Sequence, residues 1–143
     1  MMKKILAVLA AAGCLAAVPA MAQEEPQPQA VVVLNNTRFE PLGEDVLIPA
    51  GQSHRFEVRS GGFARASLLI GGATRPGAGV LRIATAYGPP FVPSGPPRKL
   101  QVDAQGNVRG QVLEPVLGPA MVVIIQNDSS ADATISLSAY FAN

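Results

Sequence analysis

The chain has 143 residues, of which 48% are hydrophobic, 15% charged and 5% aromatic, with a formal net charge of +1. So even a balance excludes a strong electrostatic draw towards nucleic acid, while the length suffices for one self-supporting core. A single histidine and a single cysteine are too few for a zinc centre or a histidine-based active site built from several converging groups, so no metal and no cofactor is expected.

The first 22 residues place Lys3 and Lys4 before an apolar stretch, Ile5 to Val18, and end on Ala20-Met21-Ala22, the pattern of a secretory signal peptide. The apolar stretch falls short of the roughly 20 residues of a membrane span. No later segment is long and apolar enough, so no transmembrane segment is expected. Ala11-Ala12-Gly13-Cys14 offers a competing lipid-anchor site at Cys14, disfavoured because the residues after Cys14 stay apolar where a polar tether is needed. Cleavage after Ala22 discards the cysteine, leaving a chain without an intramolecular disulfide and with nine basic against ten acidic residues. The expected location is the periplasm, the cell surface or the exterior.

Residues 23–29, QEEPQPQ, have nothing to bury and read as a disordered or extended tether. A single domain is expected over 30–143. It shows short β-rich runs between Gly, Pro, Asn and Ser, without sustained helical spacing of apolar residues. The expected strands are Val31 to Leu34, Asp45 to Ile48, Ser53 to Arg59, Ala64 to Ile70, Val80 to Tyr87, Lys99 to Asp103, Val108 to Leu113, Met121 to Gln126 and Ala133 to Tyr140. Together they imply an all-β fold: an antiparallel β-sandwich of about eight or nine short strands, immunoglobulin-like or jelly-roll-like.

Within Ser53 to Arg59, His54, Phe56 and Val58 share one face, which makes His54 a structural residue. GGATRPGAG, Gly71 to Gly79, reads as a mobile hairpin loop carrying Arg75 outward. Prolines 89, 90, 93, 96 and 97 donate no backbone hydrogen bond, so the chain must leave the sheet between Tyr87 and Arg98. Two uses of that stiff segment are open. It is a strap with Phe91 and Val92 folded over the core, or a preorganised loop displaying Tyr87, Phe91, Arg98 and Lys99 to a partner.

Pairing Val102 with Val108 sets Gln101 opposite Arg109 and Lys99 opposite Gln111, and makes Ala104-Gln105-Gly106 the loop, with Gly106 at its left-handed position. In Met121 to Gln126, MVVIIQ, both faces are apolar, so the outward one needs cover from the strap, another strand or a second subunit. Asn127 to Asp132 is rich in oxygen ligands but lacks the order of a calcium loop, and reads as a tight connection. Glycosylation triplets stand at Asn35-Asn36-Thr37 and Asn127-Asp128-Ser129. The acids Glu44, Asp45, Asp103, Glu114, Asp128 and Asp132 mostly fall in turns, and no spacing selects a catalytic pair among them.

These readings point to an exported, non-enzymatic binding or accessory module contacting a protein or cell-surface partner through Tyr87, Phe91, Arg98 and Lys99. The alternatives are a self-associating structural subunit, hence a homo-oligomer, and a carbohydrate-binding or carboxylate-based carbohydrate-processing domain.

Overall fold

A computed structural model describes residues 36–143 of the chain. The expected signal peptide, Cys14, the tether and the strand Val31 to Leu34 lie outside the described residues. Ten strands follow in order: β1 (Arg38–Ile48), β2 (Ser53–Arg59), β3 (Arg65–Thr74), β4 (Leu81–Gly88), β5 (Val92–Pro93), β6 (Arg98–Lys99), β7 (Gln101–Val102), β8 (Asn107–Pro115), β9 (Ala120–Asn127) and β10 (Ala133–Ala142).

They form two antiparallel sheets. Sheet A has the order β1-β10-β3-β8-β7, and sheet B the order β2-β9-β4, with the two-residue strands β5 and β6 both paired to β4. Among the long strands, β1 to β4 alternate between the sheets, and so do β8 to β10. In an immunoglobulin-type domain consecutive strands such as A and B share a sheet. The order found here is that of a jelly roll, which settles the topology between the two expected forms.

Strand alternation builds the core. Phe56 and Val58 of β2, Leu81 and Ile83 of β4, and Met121, Val123 and Ile125 of β9 face Leu68 and Ile70 of β3 and Ile135, Leu137 and Phe141 of β10. Each such side chain contributes about 1.5–3 kcal/mol when fully buried. The β2 and β1 edges resist further pairing. β2 carries Arg55, Glu57 and Arg59 outward, with an ion pair between Arg55 and Glu57 at 3.2 Å. β1 breaks register between Pro41 and Gly43 and again between Gly43 and Val46. At Gly43 a Cβ would stand 2.7 Å from the Phe56 ring, so glycine lets the bulged strand close on the facing sheet.

Three local expectations need correction. Gly71 and Gly72 lie inside β3, opposite Ser136 and Ile135 of β10, and the segment that follows crosses between sheets instead of closing a hairpin. Arg75 there is tied down, its Nη2 donating to Ser130 Oγ at 3.1 Å. The expected strand Lys99 to Asp103 is split, because Leu100 turns into the core and its N–H bonds Leu81 O at 2.9 Å. Lys99 therefore pairs with Arg82 in sheet B and not with Gln111. Gln101 opposite Arg109 and Val102 opposite Val108 are as expected.

Candidate functional site

Residues 88–97 do leave the sheet, and side chains at both ends of the excursion hold it in place. Phe91 turns onto sheet B, where the guanidinium of Arg55 lies 4.9 Å from its ring centroid. Arg55 shares a row with Ile124 and Ala84, and the next row holds Glu57, Val122 and Ala86. Val122, although it faces away from the core, is only 1% exposed. Val92 and Pro93 then pair with Tyr87 and Ala86, and the Ser94 N–H donates to Thr85 O at 2.9 Å.

Beneath this strap lies Glu114, the single buried acid among the described residues. On β8 it follows the inward parity of Val108 and Val112, so its carboxylate points between the sheets towards Thr85 and Tyr87 of β4. Thr85 Oγ1 lies 2.6 Å from Glu114 Oε1 and 2.8 Å from Oε2, and Tyr87 donates its phenol to Oε2 at 3.3 Å. The Ser94 hydroxyl touches Thr85 Oγ1 and lies 3.4 Å from Oε2. Arg98 Nη2 reaches Oε1 at 3.6 Å from a half-exposed position. A carboxylate out of water needs this many donors, because an unpaired one is strongly disfavoured. Burial first, then the Glu114 charge and the hydrogen bond to it, push the Tyr87 phenol above its usual pKa. The residual space here is about 10 Å³, one water molecule at most.

The other acids serve turns and strand pairs. Asp103 Oδ1 accepts the Gln105 and Asn107 N–H groups and Oδ2 accepts the Asn107 amide, which holds its carboxyl below the usual range. Asp128 pairs with Arg82 at 3.2 Å, Asp132 accepts the Ala50 N–H, and Asp45 faces the Ser136 hydroxyl. Asn127 closes the β9–β10 connection, as expected for a tight turn. Its amide donates to Ile48 O and Ala131 O while its Oδ1 accepts from Ser129. Fully buried and engaged in this way, it cannot carry a glycan. His54 stands exposed at the start of β2, 4.7 Å from the Phe56 ring.

Besides an apolar groove of about 600 Å³ on sheet A at Arg65, Ser67, Leu113 and Tyr140, two open surfaces adjoin the strap and the residues that follow it. At one end of the sandwich, Pro89, Pro90, Val92 and Pro93 of the strap and Leu117 and Pro119 of the β8–β9 loop line an apolar cleft of about 400 Å³. Its bottom is Tyr87 and Gly88. Val92 and Leu117 are 61% and 62% exposed. The second is a groove of about 690 Å³ on sheet A, bounded by Arg98 to Gln101. Its outward side chains fall in two cross-strand rows, Ser138–Leu69–Gln111 and Ser136–Gly71–Arg109–Gln101.

The four residues expected to form one displayed patch are thus divided. Tyr87 is buried against Glu114, and Phe91 is half-buried on sheet B. Arg98 and Lys99 stand together at the groove. Sequence reasoning missed Glu114, Thr85 and Ser94 as a group. The signal was present in parity: Val108 and Val112 put Glu114 inside and Leu113 outside.

No protein-family model matches the chain, and no curated protein matches it. Among solved structures it is similar to a family GH115 4-O-methyl-α-glucuronidase with specificity for decorated arabinogalactans, at 12% identity and TM-score 0.48, over 76% of this chain and 17% of that one. It is similar to a chain of the T13 IBDV viral particle at 9% identity and TM-score 0.46, over 76% and 31%. A Family 16 carbohydrate binding module matches at 12% identity and TM-score 0.41, over 62% and 70%. The chain spans less than a third of the length of the first two. Likeness this distant carries no argument about ligand or activity.

Proposed function

We propose that the chain is an exported, non-enzymatic binding module that takes a protein or cell-surface partner where the proline strap meets the β8–β9 loop. The observation that supports this most directly is the pair Val92 and Leu117, both about three-fifths exposed on one apolar cleft. Aliphatic groups held in water by stiff backbone favour a partner that covers them. A strap already fixed by prolines and by Glu114 loses little entropy when it is covered. In this reading Tyr87 and Phe91 keep the strap in shape, and Arg98 and Lys99 lend charge on its flank. Export rests on the leader-like residues 1–22. Self-association through β9 has less to recommend it, because Val122 is already buried within the chain.

A photo-crosslinking amino acid at position 117, with a control at position 57 on the outer face of sheet B, tests the site in the native envelope fraction. Adducts to one partner from position 117 and none from 57, lost on Val92→Asp, are expected. Equal labelling from both positions, or none from 117, would remove the proposal.

A further inference from the structure

The groove on sheet A lies apart from that cleft, and its chemistry is different. Its floor is the middle of the sheet, where β10 and β3 are paired on both sides, while β8 loses its outer neighbour β7 beyond Arg109. β10 and β3 offer no free backbone edge, so an extended peptide cannot add as a strand over them. Recognition must come from side chains. Ser138, Gln101 and Gln111 present groups that both donate and accept, which suits a ligand whose own groups do the same, whereas the Ser136 hydroxyl is engaged by Asp45 at the groove margin.

Charge narrows the class. Arg98, Lys99 and Arg109 line the groove, and no carboxylate does. Asp103, which acts on Arg109 electrostatically, is already satisfied by three N–H donors. Glu114 engages Arg98 through Nη2 at 3.6 Å, and the Arg98 side chain is half-exposed, which leaves it further donors for a ligand. Charge-assisted bonds from such cations select carboxylate or a similar anion.

Shape adds a third constraint. The row Ser136–Gly71–Arg109–Gln101 crosses four strands, about 14 Å at the usual strand spacing. Gly71 leaves open space at its centre, with nothing within 4 Å of where a Cβ would stand. Four residues along β10 from Ser136, the exposed Tyr140 lies opposite the exposed Phe39 and lines the neighbouring groove with Ser67 and Leu113 instead of this one.

We infer that this groove binds an acidic saccharide chain: hydroxyls to Ser138, Gln101 and Gln111, and carboxylates to Arg98, Lys99 and Arg109. The groove and the partner cleft have no lining residue in common, although Arg98 and Lys99 also stand on the flank of the cleft.

Calorimetric titration of the folded domain with oligomers of galacturonate, alginate and hyaluronan tests it, with methyl-esterified galacturonate and polyglutamate as comparisons. At least one acidic saccharide should bind at least tenfold more tightly than either comparison. Arg109→Gln should weaken binding about tenfold. Gly71→Val should abolish it without lowering the Tm, since it fills open space with a strand-former. Leu117→Asp, which disables only the partner cleft, should leave it unchanged. Failure of all three saccharides to bind, equal binding of polyglutamate or of the neutral ester, or indifference to Gly71→Val would each overturn the assignment.

Discussion

Glu114 gains its importance from what surrounds it. Thr85, Tyr87 and Ser94 all direct hydroxyls at one carboxylate, and Arg98 neutralises it from the rim. Removing one member of such a buried set leaves the others without partners. Glu114→Ala is therefore expected to cost about 3 kcal/mol in urea unfolding, and Glu114→Gln less, because an amide oxygen still accepts from Thr85. Equal losses for the two would mean that packing, and not the hydrogen bonds, fixes the site. Tyr87 gives the same cluster a pH signature. Its phenol is held above the usual 10.0, so the folded state keeps the neutral form. That stabilisation is complete below pH 10 and is lost as pH rises from there towards the folded value, by at most about 1.4 kcal/mol per pH unit for one proton. Tyr87→Phe should be less stable at pH 8, yet decline less steeply between pH 10 and 11. Parallel declines of the two proteins would show that the phenol is not responsible.

Among the elements, those with clean alternation or a continuous apolar run between turn residues were legible. Ser53 to Arg59 coincides with β2, and the runs from Ala64, Val80, Met121 and Ala133 begin within a residue of β3, β4, β9 and β10. The first half of β1 was not, because Pro41, Gly43, Glu44 and Asp45 carry the residues of a turn. In the fold they form bulges, with Asp45 at φ 49° and its N–H bonded to Ser136 Oγ at 2.9 Å, and only the β10 partner strand makes that visible. Sheet identity was likewise out of reach, since local pattern cannot tell that Lys99 and Gln101 belong to different sheets. The Glu114 cluster joins residues up to 29 positions apart, which no local spacing encodes. The β7–β8 hairpin is the opposite case. Its register follows from face consistency, and its loop glycine stands at φ 84° as the three-residue turn requires. A Cβ at Gly106 would meet Thr74 O at 2.1 Å. Gly106→Ala should therefore destabilise the domain by about 2 kcal/mol or more, read as a lowered Tm. A change below about 0.5 kcal/mol would mean that the loop relaxes freely.

At the scale of the whole molecule, the doubly apolar β9 and the proline-rich excursion answer each other. A strand with Met121, Val123 and Ile125 on one side and Val122 and Ile124 on the other needs cover on both faces. The facing sheet covers the first set. On the second side Val122 is 1% exposed and Ile124 half-buried, and it is to this face that the strap brings Phe91 against Arg55. Stiffness matters here because a flexible loop of the same length would lose more entropy on ordering than one half-buried ring returns. Hence the strap should act as the lid of sheet B, and Phe91→Ala should do two things together. Stability should fall by about 1–2 kcal/mol, less than the 3–5 kcal/mol typical of a fully buried phenylalanine. The uncovered Val122 and Ile124 should also make the domain self-associate in sedimentation experiments across a concentration series, a tendency that Val122→Thr in the same chain should reverse. If Phe91→Ala is destabilised yet stays monomeric at high concentration, Val122 is shielded by its neighbours in the sheet and the strap only braces the edge. If it self-associates without losing stability, the strap is a removable cover, and its place on sheet B owes more to protecting that face than to holding the sandwich together.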